Sequence, residues 1–308
     1  MYDLLILGAS AAGVSAAVYS ARRKLNMKLI SIDIGGEVAT SGIIENYPGY
    51  VLINGDELAE IFKKQLSAQG AAVDEGFQVT ALIKVEAGFK VIAKNLLGAG
   101  QSYESKAVII ATGVKPRKLD VPGEEEFYHR GLTYCTICDG PLYKGKDVVI
   151  LGSGNSALES SLMMAEIAKS VTVLIRGDKF KGETVLIDKV KNDARINVLY
   201  NVVSQKIIGE QGVTGVEYKN KLTGEVLVLP VQGVFVNVGY NPNSDFTDAA
   251  PKNKEGQFVV DRVGYTGVPG LYAAGDVTDI PYKQISIATG MGTLSALAAI
   301  DYLNRLSS

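Results

Sequence analysis

The sequence predicts an α/β protein with two dinucleotide-binding units, and three observations predict it. Two glycine-rich turns, GASAAG at 8–13 and GSGNSA at 152–157, each lie between a short apolar run and a helix-forming stretch. Continuous apolar runs of about four to eight residues have the length of strands buried on both faces, as in a parallel sheet. Near the chain end a third apolar run, Leu271–Gly275, closes on Asp276 and leads toward a long helix. A chain of 308 residues is long enough for two domains of about 100–200 residues each.

The elements follow in order. Asp3–Leu7 reads as a strand, Gly8–Gly13 as its turn, Ala12–Arg23 as a helix and Lys28–Ile32 as a second strand closing at Asp33. That is a βαβ unit. Residues 54–69 read as an amphipathic helix, capped near Asn54 or Asp56 and stopped at Gly70. From 72 to 110 short alternating strands suggest an antiparallel insertion, which ends at Ala107–Ile110 directly before Ala111-Thr112-Gly113. A second βαβ unit opens with strand Asp147–Leu151, followed by the turn Gly152–Ala157, helix Leu158–Ala168 and strand Val171–Ile175. Short β-like runs fill 197–236, a linker lies near 240–243, and a long helix falls within 284–305.

Composition excludes several functions. Lys plus Arg number 31 against 33 Asp plus Glu, so no basic surface for nucleic acid or an anionic membrane is expected. No run of about 18 apolar residues occurs, so no membrane span is expected. The start, Met-Tyr-Asp, goes straight into an apolar strand without a basic leader, which makes the cytoplasm the expected location. Two cysteines and one histidine exclude a disulfide-stapled scaffold and a metal site built mainly from Cys and His. Glycine at 34 residues with proline at only 9 points to many tight turns rather than disorder.

A glycine turn between strand and helix lets the backbone approach a pyrophosphate, which then meets the free N–H groups and partial positive charge of the helix start. GSGNSA fits the G-x-G-x-x-G/A pattern through Gly152, Ser153, Gly154, Asn155, Ser156 and a closing alanine. GASAAG departs from it: Gly8 and Gly13 are in place, but Ser10 stands at the middle glycine, beside Ala11 and Ala12. Asp33 lies about 20 residues past Gly13, where an acid meets a ribose hydroxyl; a solvated strand-end aspartate is the other reading. Gly35-Gly36-Glu37 adds a tight turn near the mouth of that site. At the far end of the chain Gly275-Asp276, and Lys283, Gln284 and Ile285 within PYKQISIATG (281–290), offer a second set of contacts. A ligand held from both chain ends is large, which suits FAD; a plain turn with an Asx cap is the alternative at Gly275-Asp276.

Cys135-Thr136-Ile137-Cys138 is the sharpest chemical signal. Two intervening residues let the sulfurs close a small disulfide ring, and thiols in such motifs are often acidified. Half of a zinc site and a pair of inert buried thiols are the other readings. Beside two dinucleotide sites, the pair implies electron flow from nicotinamide to flavin to disulfide. Asp139 follows at once and is placed to protonate a departing thiolate, besides capping a helix. The single histidine, His129, sits among Glu124-Glu125-Glu126 and Arg130, which suggests an exposed loop.

At this point the whole chain resembles the low-molecular-weight thioredoxin reductases. The motifs are GGEVATSGIIENYPG (35–49), VIIATGVKPRKLDVPGE (108–124), GLTYCTICDGPLYKGKDVVILGSGNSALE (131–159), FVNVGYNPN (235–243) and GLYAAGDVTDIPYKQISIATGMG (270–292). The resemblance implies two Rossmann-like domains: an FAD domain in two segments, 1–115 and 241–308, and an inserted NAD(P) domain at 116–240 that carries the redox pair. It implies a homodimer that passes electrons from NADPH through FAD to thioredoxin or a similar small dithiol protein. Cys138 would face the flavin, Cys135 would attack the substrate disulfide, and Asp139 would be the acid–base group. Asn46, Ala111, Thr112, Gly113, Gly275, Asp276 and Gln284 fall in flavin-contacting motifs. Gly152, Gly154 and Asn155 fall in the nicotinamide-dinucleotide motif, and Gly239 is a further candidate cofactor-binding residue.

Two departures stand out. Ser10 and Ala11 replace the family's usual Gly-Pro. The family's phosphate-binding pattern, His-Arg-Arg and then Phe-Arg, reads Ile175-Arg176-Gly177 and Phe180-Lys181 here, which leaves Arg176 and Lys181 to favour NADPH, with NADH as the alternative. The tail also looks like the flavoprotein component of alkyl hydroperoxide reductase. Because the sequence opens at the flavin strand, a separate small redox protein is the expected acceptor. Other readings are a reductase of a peroxide-removing system, a ferredoxin-fed reductase and a flavin-bound redox sensor.

Overall fold

The structure is a computed structural model that describes residues 1–41 and 43–307. The chain divides into two units: Met1–Lys115 with Asn241–Ser308, and Pro116–Tyr240.

The first unit is built on a sheet whose strands run Val73–Glu75, Met27–Ile34, Tyr2–Ala9, Gly100–Ile110, Gly88–Asn95 and Phe77–Val85 in spatial order, with Leu271–Ala273 also paired to Gly100–Ile110. Val73–Glu75 pairs parallel with Met27–Ile34, so the antiparallel insertion expected from 72 begins only at Phe77. The opening strand is apolar throughout because both its faces are covered. Leu4 and Ile6 enter one core cluster, Leu5 and Leu7 another, and all four are fully buried. Helix Ala11–Arg22 packs on the first face. It is joined there by the long helix Ile285–Ser307, whose Ala296, Ala299 and Leu303 share a cluster with Ala16 and Ala17. Small side chains on both helices permit that close packing. Helix Gly55–Ala68 starts from Asn54, where the Glu57 carboxylate accepts the Asn54 N–H at 3.3 Å in a capping box.

The last helix bears on the expectation that no membrane span occurs. Within the last helix, Ile285–Leu306 is long and apolar enough, at mean hydropathy 1.2, to cross a membrane by length and composition. The stretch is rich in alanine, leucine and isoleucine, and in the structure part of it packs against helix Ala11–Arg22. Length and composition alone do not separate a core helix from a span.

The second unit repeats the plan. Its parallel sheet runs Leu132–Thr133, Gly233–Val236, Asp147–Leu151, Ser170–Ile175, Ile196–Tyr200. Val148 and Ile150 face one cluster with Leu158 and Met164; Val149 and Leu151 face the other with Phe127 and Val216. Three antiparallel strands, Val202–Gly209, Val213–Asn220 and Val226–Pro230, form a separate sheet. Two helices differ from expectation. Asn155–Ala165 starts three residues early, because the end of the glycine turn is already its first helical turn. Thr184–Asn192 was not anticipated.

Both glycine turns obey the same steric constraint. Gly8 has φ +102° and Gly152 φ +151°. A Cβ on Gly8 would stand 2.3 Å from the Ala111 carbonyl oxygen, and one on Gly152 2.3 Å from that of Asn237. Each turn therefore presses against the end of a neighbouring segment, and only glycine allows it. Gly8→Ala is expected to cost about 2–4 kcal/mol of stability in equilibrium denaturation, from strained backbone plus overlap. Gly154→Ala, whose Cβ meets nothing within 4 Å, is expected to stay within about 0.5 kcal/mol of wild type.

Candidate active site and nucleotide sites

In the first unit, helix Ala11–Arg22 begins after Ser10, whose side chain does not cap it. The Ser10 hydroxyl instead donates to the Gly35 carbonyl at 2.5 Å, tying the turn to the end of strand Met27–Ile34. The first intrahelical bond runs from Val14 N–H to the Ser10 carbonyl, and among the described residues no side chain claims the amides of Ala11, Ala12 and Gly13. No acidic residue lies in that first turn. Such a terminus attracts an anion. Asp33 is exposed at the end of its strand, and one carboxylate oxygen accepts the Gly36 N–H at 2.8 Å.

The distant segments meet this turn. Gly275 lies beside Ala12, since a Cβ on it would stand 3.0 Å from the Ala12 methyl. The same test places Ala111, and with it Thr112, against Gly8. Thr112 is clamped by Asn243: its hydroxyl donates to the Asn243 carbonyl at 2.6 Å and its own carbonyl accepts the Asn243 amide at 2.8 Å. The Asn243 N–H donates to the Gly113 carbonyl at 3.0 Å. The Asn46 amide donates to Gln284 at 3.2 Å across 238 residues of chain. Lys283 turns back, its ammonium 2.7 Å from the Thr278 carbonyl, and Ile285 begins the last helix.

Electrostatics single out Asp276. Its Oδ1 is buried without a hydrogen-bond partner, and it alone among the described residues has such a side-chain atom. Burial pushes its pKa up to about 6, with Lys283 opposing. Burial likewise pushes the Lys283 ammonium down, with Asp276 and Asp279 opposing. Part of Glu37 stays exposed, but its carboxyl is deep enough that desolvation raises its pKa; Lys115 opposes this, while Asp276 and Asp33 add to it. A buried carboxylate oxygen with no partner suits a ligand hydroxyl that donates to it. Together with an uncapped helix start, that fits the ribityl chain and diphosphate of a flavin dinucleotide.

In the second unit a disulfide joins Cys135 and Cys138 across a Cα separation of 5.3 Å. Cys135 caps the single helical turn Thr136–Asp139, and its sulfur accepts the Cys138 N–H at 3.2 Å. Both cysteines are half-buried, while Asp139 is only 8% exposed. The Asp139 carboxylate accepts the Thr133 hydroxyl, whose oxygen accepts the Cys135 N–H at 3.1 Å. The Thr136 hydroxyl reaches Asn237 at 3.4 Å. Burial raises the Tyr143 pKa, and Asp139 adds to it.

The segment before the pair is held by an unexpected anchor. Glu124, read from its neighbours as part of an exposed loop, is 3% exposed. It accepts the N–H groups of Leu119 and Asp120 at 2.6 and 2.7 Å and the Tyr134 hydroxyl at 2.6 Å. Those donors repay the desolvation of its charge. Burial and that carboxylate push the Tyr134 phenol up. His129, Glu125, Glu126 and Arg130 are exposed as expected, and the His129 ring lies against Tyr128 at 3.8 Å.

Helix Asn155–Ala165 also begins without a side-chain cap, at Gly154. The Ser153 carbonyl accepts the Lys181 N–H at 2.7 Å. Asn155 donates to the Glu183 carboxylate at 3.0 Å and accepts the Glu183 N–H at 2.8 Å. These bonds bring the loop after strand Ser170–Ile175 to the glycine turn, with Ser156 already inside the helix. Arg176 and Lys181 are exposed there. The Lys221 ammonium, distant in sequence, donates to the Arg176 carbonyl at 3.2 Å. Asp178 and Lys179 line a cleft of about 500 Å3 with Lys191 and Tyr200. Gly239 accepts the Arg117 N–H at 2.9 Å.

Sequence reasoning missed Thr133, Glu124, Tyr134, Asn243, Glu183 and Lys221. Asn243 and Glu124 close the quoted motifs FVNVGYNPN and VIIATGVKPRKLDVPGE, and Tyr134 and Thr133 stand inside GLTYCTICDG, so position alone could have nominated those four.

A family model described as pyridine nucleotide-disulphide oxidoreductase matches residues 2–292. Over 305 residues the chain is 38% identical to the F component of alkyl hydroperoxide reductase from Staphylococcus aureus (strain NCTC 8325 / PS 47), covering 99% of this chain and 59% of that protein. The chain thus spans about 59% of the length of that curated relative. Thioredoxin reductase from Streptococcus pyogenes MGAS5005 superposes with TM-score 0.87 at 34% identity, covering 99% of both chains. Thioredoxin reductase from Giardia duodenalis superposes with TM-score 0.89 at 29% identity, covering 98% of this chain and 99% of that one.

Asp276 generates a pH prediction for the flavin-free protein. Its carboxyl has a pKa of about 6 in the fold against 3.8 as reference, so the folded state binds its proton more tightly. The resulting stabilisation is complete below the lower value and is lost as pH rises through the upper one, amounting to about 3 kcal/mol. Asp276→Asn should therefore be increasingly stabilising relative to wild type as denaturation is measured from about pH 4 to pH 7. A difference that is flat or shrinks with pH would contradict the burial assigned to this carboxyl.

Proposed function

The chain belongs to the pyridine nucleotide-disulphide oxidoreductase family, and from that premise we propose that it is a flavin disulfide reductase that passes electrons from NADPH through FAD and the Cys135–Cys138 disulfide to thioredoxin or a similar small dithiol protein. The observation that carries the reading is the redox turn itself: a closed Cys-x-x-Cys disulfide with a buried carboxyl in the same helical turn. The reading takes the working form to be a cytoplasmic homodimer.

Bound FAD would supply the two-electron carrier between nicotinamide and disulfide. The first unit would hold it through the amides of Ala11–Gly13 on the diphosphate, Asp33 on a ribose hydroxyl, and Asp276 Oδ1 on the ribityl chain. Gly35, Gly36, Glu37, Asn46, Ala111–Gly113 and Lys283–Ile285 would complete the enclosure. In the second unit the amides of Asn155 and Ser156 would hold the pyrophosphate of the nicotinamide nucleotide, with Gly154 leaving room for its approach. Arg176 and Lys181 would reach the adenosine 2′-phosphate.

Reduction of the disulfide takes two electrons and two protons and yields two thiols. Cys135 then attacks a substrate disulfide as the thiolate, forming a mixed disulfide and releasing one substrate sulfur. Asp139, protonated by the dithiol, gives that proton to the departing thiolate. Cys138 next attacks Cys135, restoring the internal disulfide and releasing the second substrate sulfur. Both protons of the dithiol end on the two product thiols.

The 38% identity to the hydroperoxide reductase component favours a second reading, in which the acceptor is the small redox carrier of a peroxide-removing system. Turnover with a thioredoxin compared with such a carrier separates the two.

Two outcomes test the proposal. Purified protein should release FAD on denaturation, and Cys135→Ser or Cys138→Ser should each abolish disulfide reduction while nicotinamide still reduces the flavin. Normal disulfide turnover in either variant would refute the electron path. The second concerns the nucleotide. NADPH should be preferred over NADH by about tenfold in kcat/KM, equivalent to ~1.4 kcal/mol, because Arg176 and Lys181 offer positive charge and no acid ends the strand. Added salt should shrink the preference, since both cations are exposed. Arg176→Ala should erase it, as steady-state kinetics with both nucleotides would show.

A further inference from the structure

We propose that Thr133 is a positioning residue that decides which oxygen of Asp139 carries the transferable proton. The inference rests on the reading of Asp139 as the acid of thiol–disulfide exchange.

Thr133 ends the short strand Leu132–Thr133, which is hydrogen-bonded in register with Val234 and Phe235, and it is only 3% exposed. Its hydroxyl has one hydrogen and two partners. The backbone N–H of Cys135 can only donate, so at 3.1 Å the Thr133 oxygen must accept there. The single hydroxyl hydrogen is then directed at Asp139 Oδ2. An oxygen that accepts from Thr133 is not the one that holds a proton for delivery. The transferable proton therefore sits on Oδ1.

Thr133 thus fixes the rotation of the Asp139 carboxyl. It also links the acid to the backbone of Cys135, the sulfur proposed to attack substrate. The two cysteines share the turn of Asp139, and the Tyr143 phenol lies on the turn that follows, with the Lys146 ammonium 5.0 Å from the centroid of that ring. Thr136 and Asn237 are neutral neighbours of the turn.

The test is single-turnover oxidation of the pre-reduced holoprotein by an alkyl disulfide, measured across about pH 5–9. An alkyl thiolate is basic enough to need a proton on leaving, so the acid step is visible. The rate should fall on the limb where Asp139 loses its proton. Thr133→Val keeps the shape and removes the hydroxyl. It should move that limb up by about one pH unit, the effect of losing a hydrogen bond to a charge, and lower the plateau about tenfold. Thr133→Ser should return both toward wild type. Thr133→Ala serves in the same way where the valine does not fold. A limb within about 0.3 pH units of wild type in the hydroxyl-free variant would overturn the proposal, even with a lowered plateau, since mere structural loosening slows the rate without moving the limb. Asp139→Asn separates the two failures. If it abolishes the limb while Thr133→Val leaves it in place, only the role of Thr133 is wrong. If Asp139→Asn exchanges within about twofold of wild type, Asp139 is not the acid and both readings fall.

Discussion

Among the described residues, no side chain claims the first amides of helices Ala11–Arg22 and Asn155–Ala165, and the backbone leading into each passes too close to a neighbouring segment to carry a Cβ. These two facts belong together. Gly8 lies against the Ala111 carbonyl and Gly152 against that of Asn237, so strand, turn and adjoining segment end at one place. The helix dipole and free N–H groups point at that same place. Parallel strands require covered faces and crossover helices, and alternate residues of each opening strand serve the two faces. The anion-attracting corner is thus a by-product of the packing that stabilises each unit, and both units have one.

Around those corners buried charge is handled in two opposite ways. Glu124 is satisfied: three donors from its own neighbourhood take its carboxylate, and it serves as an anchor for the segment that leads to Cys135. Asp276 is left unsatisfied at one oxygen, with Lys283 as its counter-charge nearby. An anchor gains from having every lone pair filled, whereas a ligand contact must keep one open. The difference between these two carboxylates separates scaffold from candidate binding group more sharply than burial does, since both are largely removed from water.

The redox turn is compact. Five consecutive residues provide two sulfurs and a carboxyl, and one threonine two positions upstream touches the amide of the first cysteine and the carboxyl at once. A single helical turn cannot hold its own geometry by helix cooperativity. Its order comes instead from the strand at Leu132–Thr133, the Glu124–Tyr134 bond and the Thr136–Asn237 contact.

Much of this was legible in the amino-acid order. The βαβ units, both glycine turns, the helix after Asn54 and the Cys-x-x-Cys-Asp run are local patterns, carried by short apolar runs, helical spacing and residue types within a few positions. Helix Thr184–Asn192 escaped because it opens Thr-Val-Leu-Ile, which reads as strand, and its cap, Glu183, carries no usual N-cap signature. The last helix was legible within 284–305, and glycine, serine and threonine interrupt its apolar stretch without lowering its mean hydropathy far. What only the tertiary structure decided is which distant segments share a corner: Thr112 with Asn243, Asn46 with Gln284, Gly275 with Ala12, Arg176 with Lys221. The burial of Glu124 and the open oxygen of Asp276 were decided there too, because solvation is a property of what surrounds a side chain and not of its neighbours in the chain.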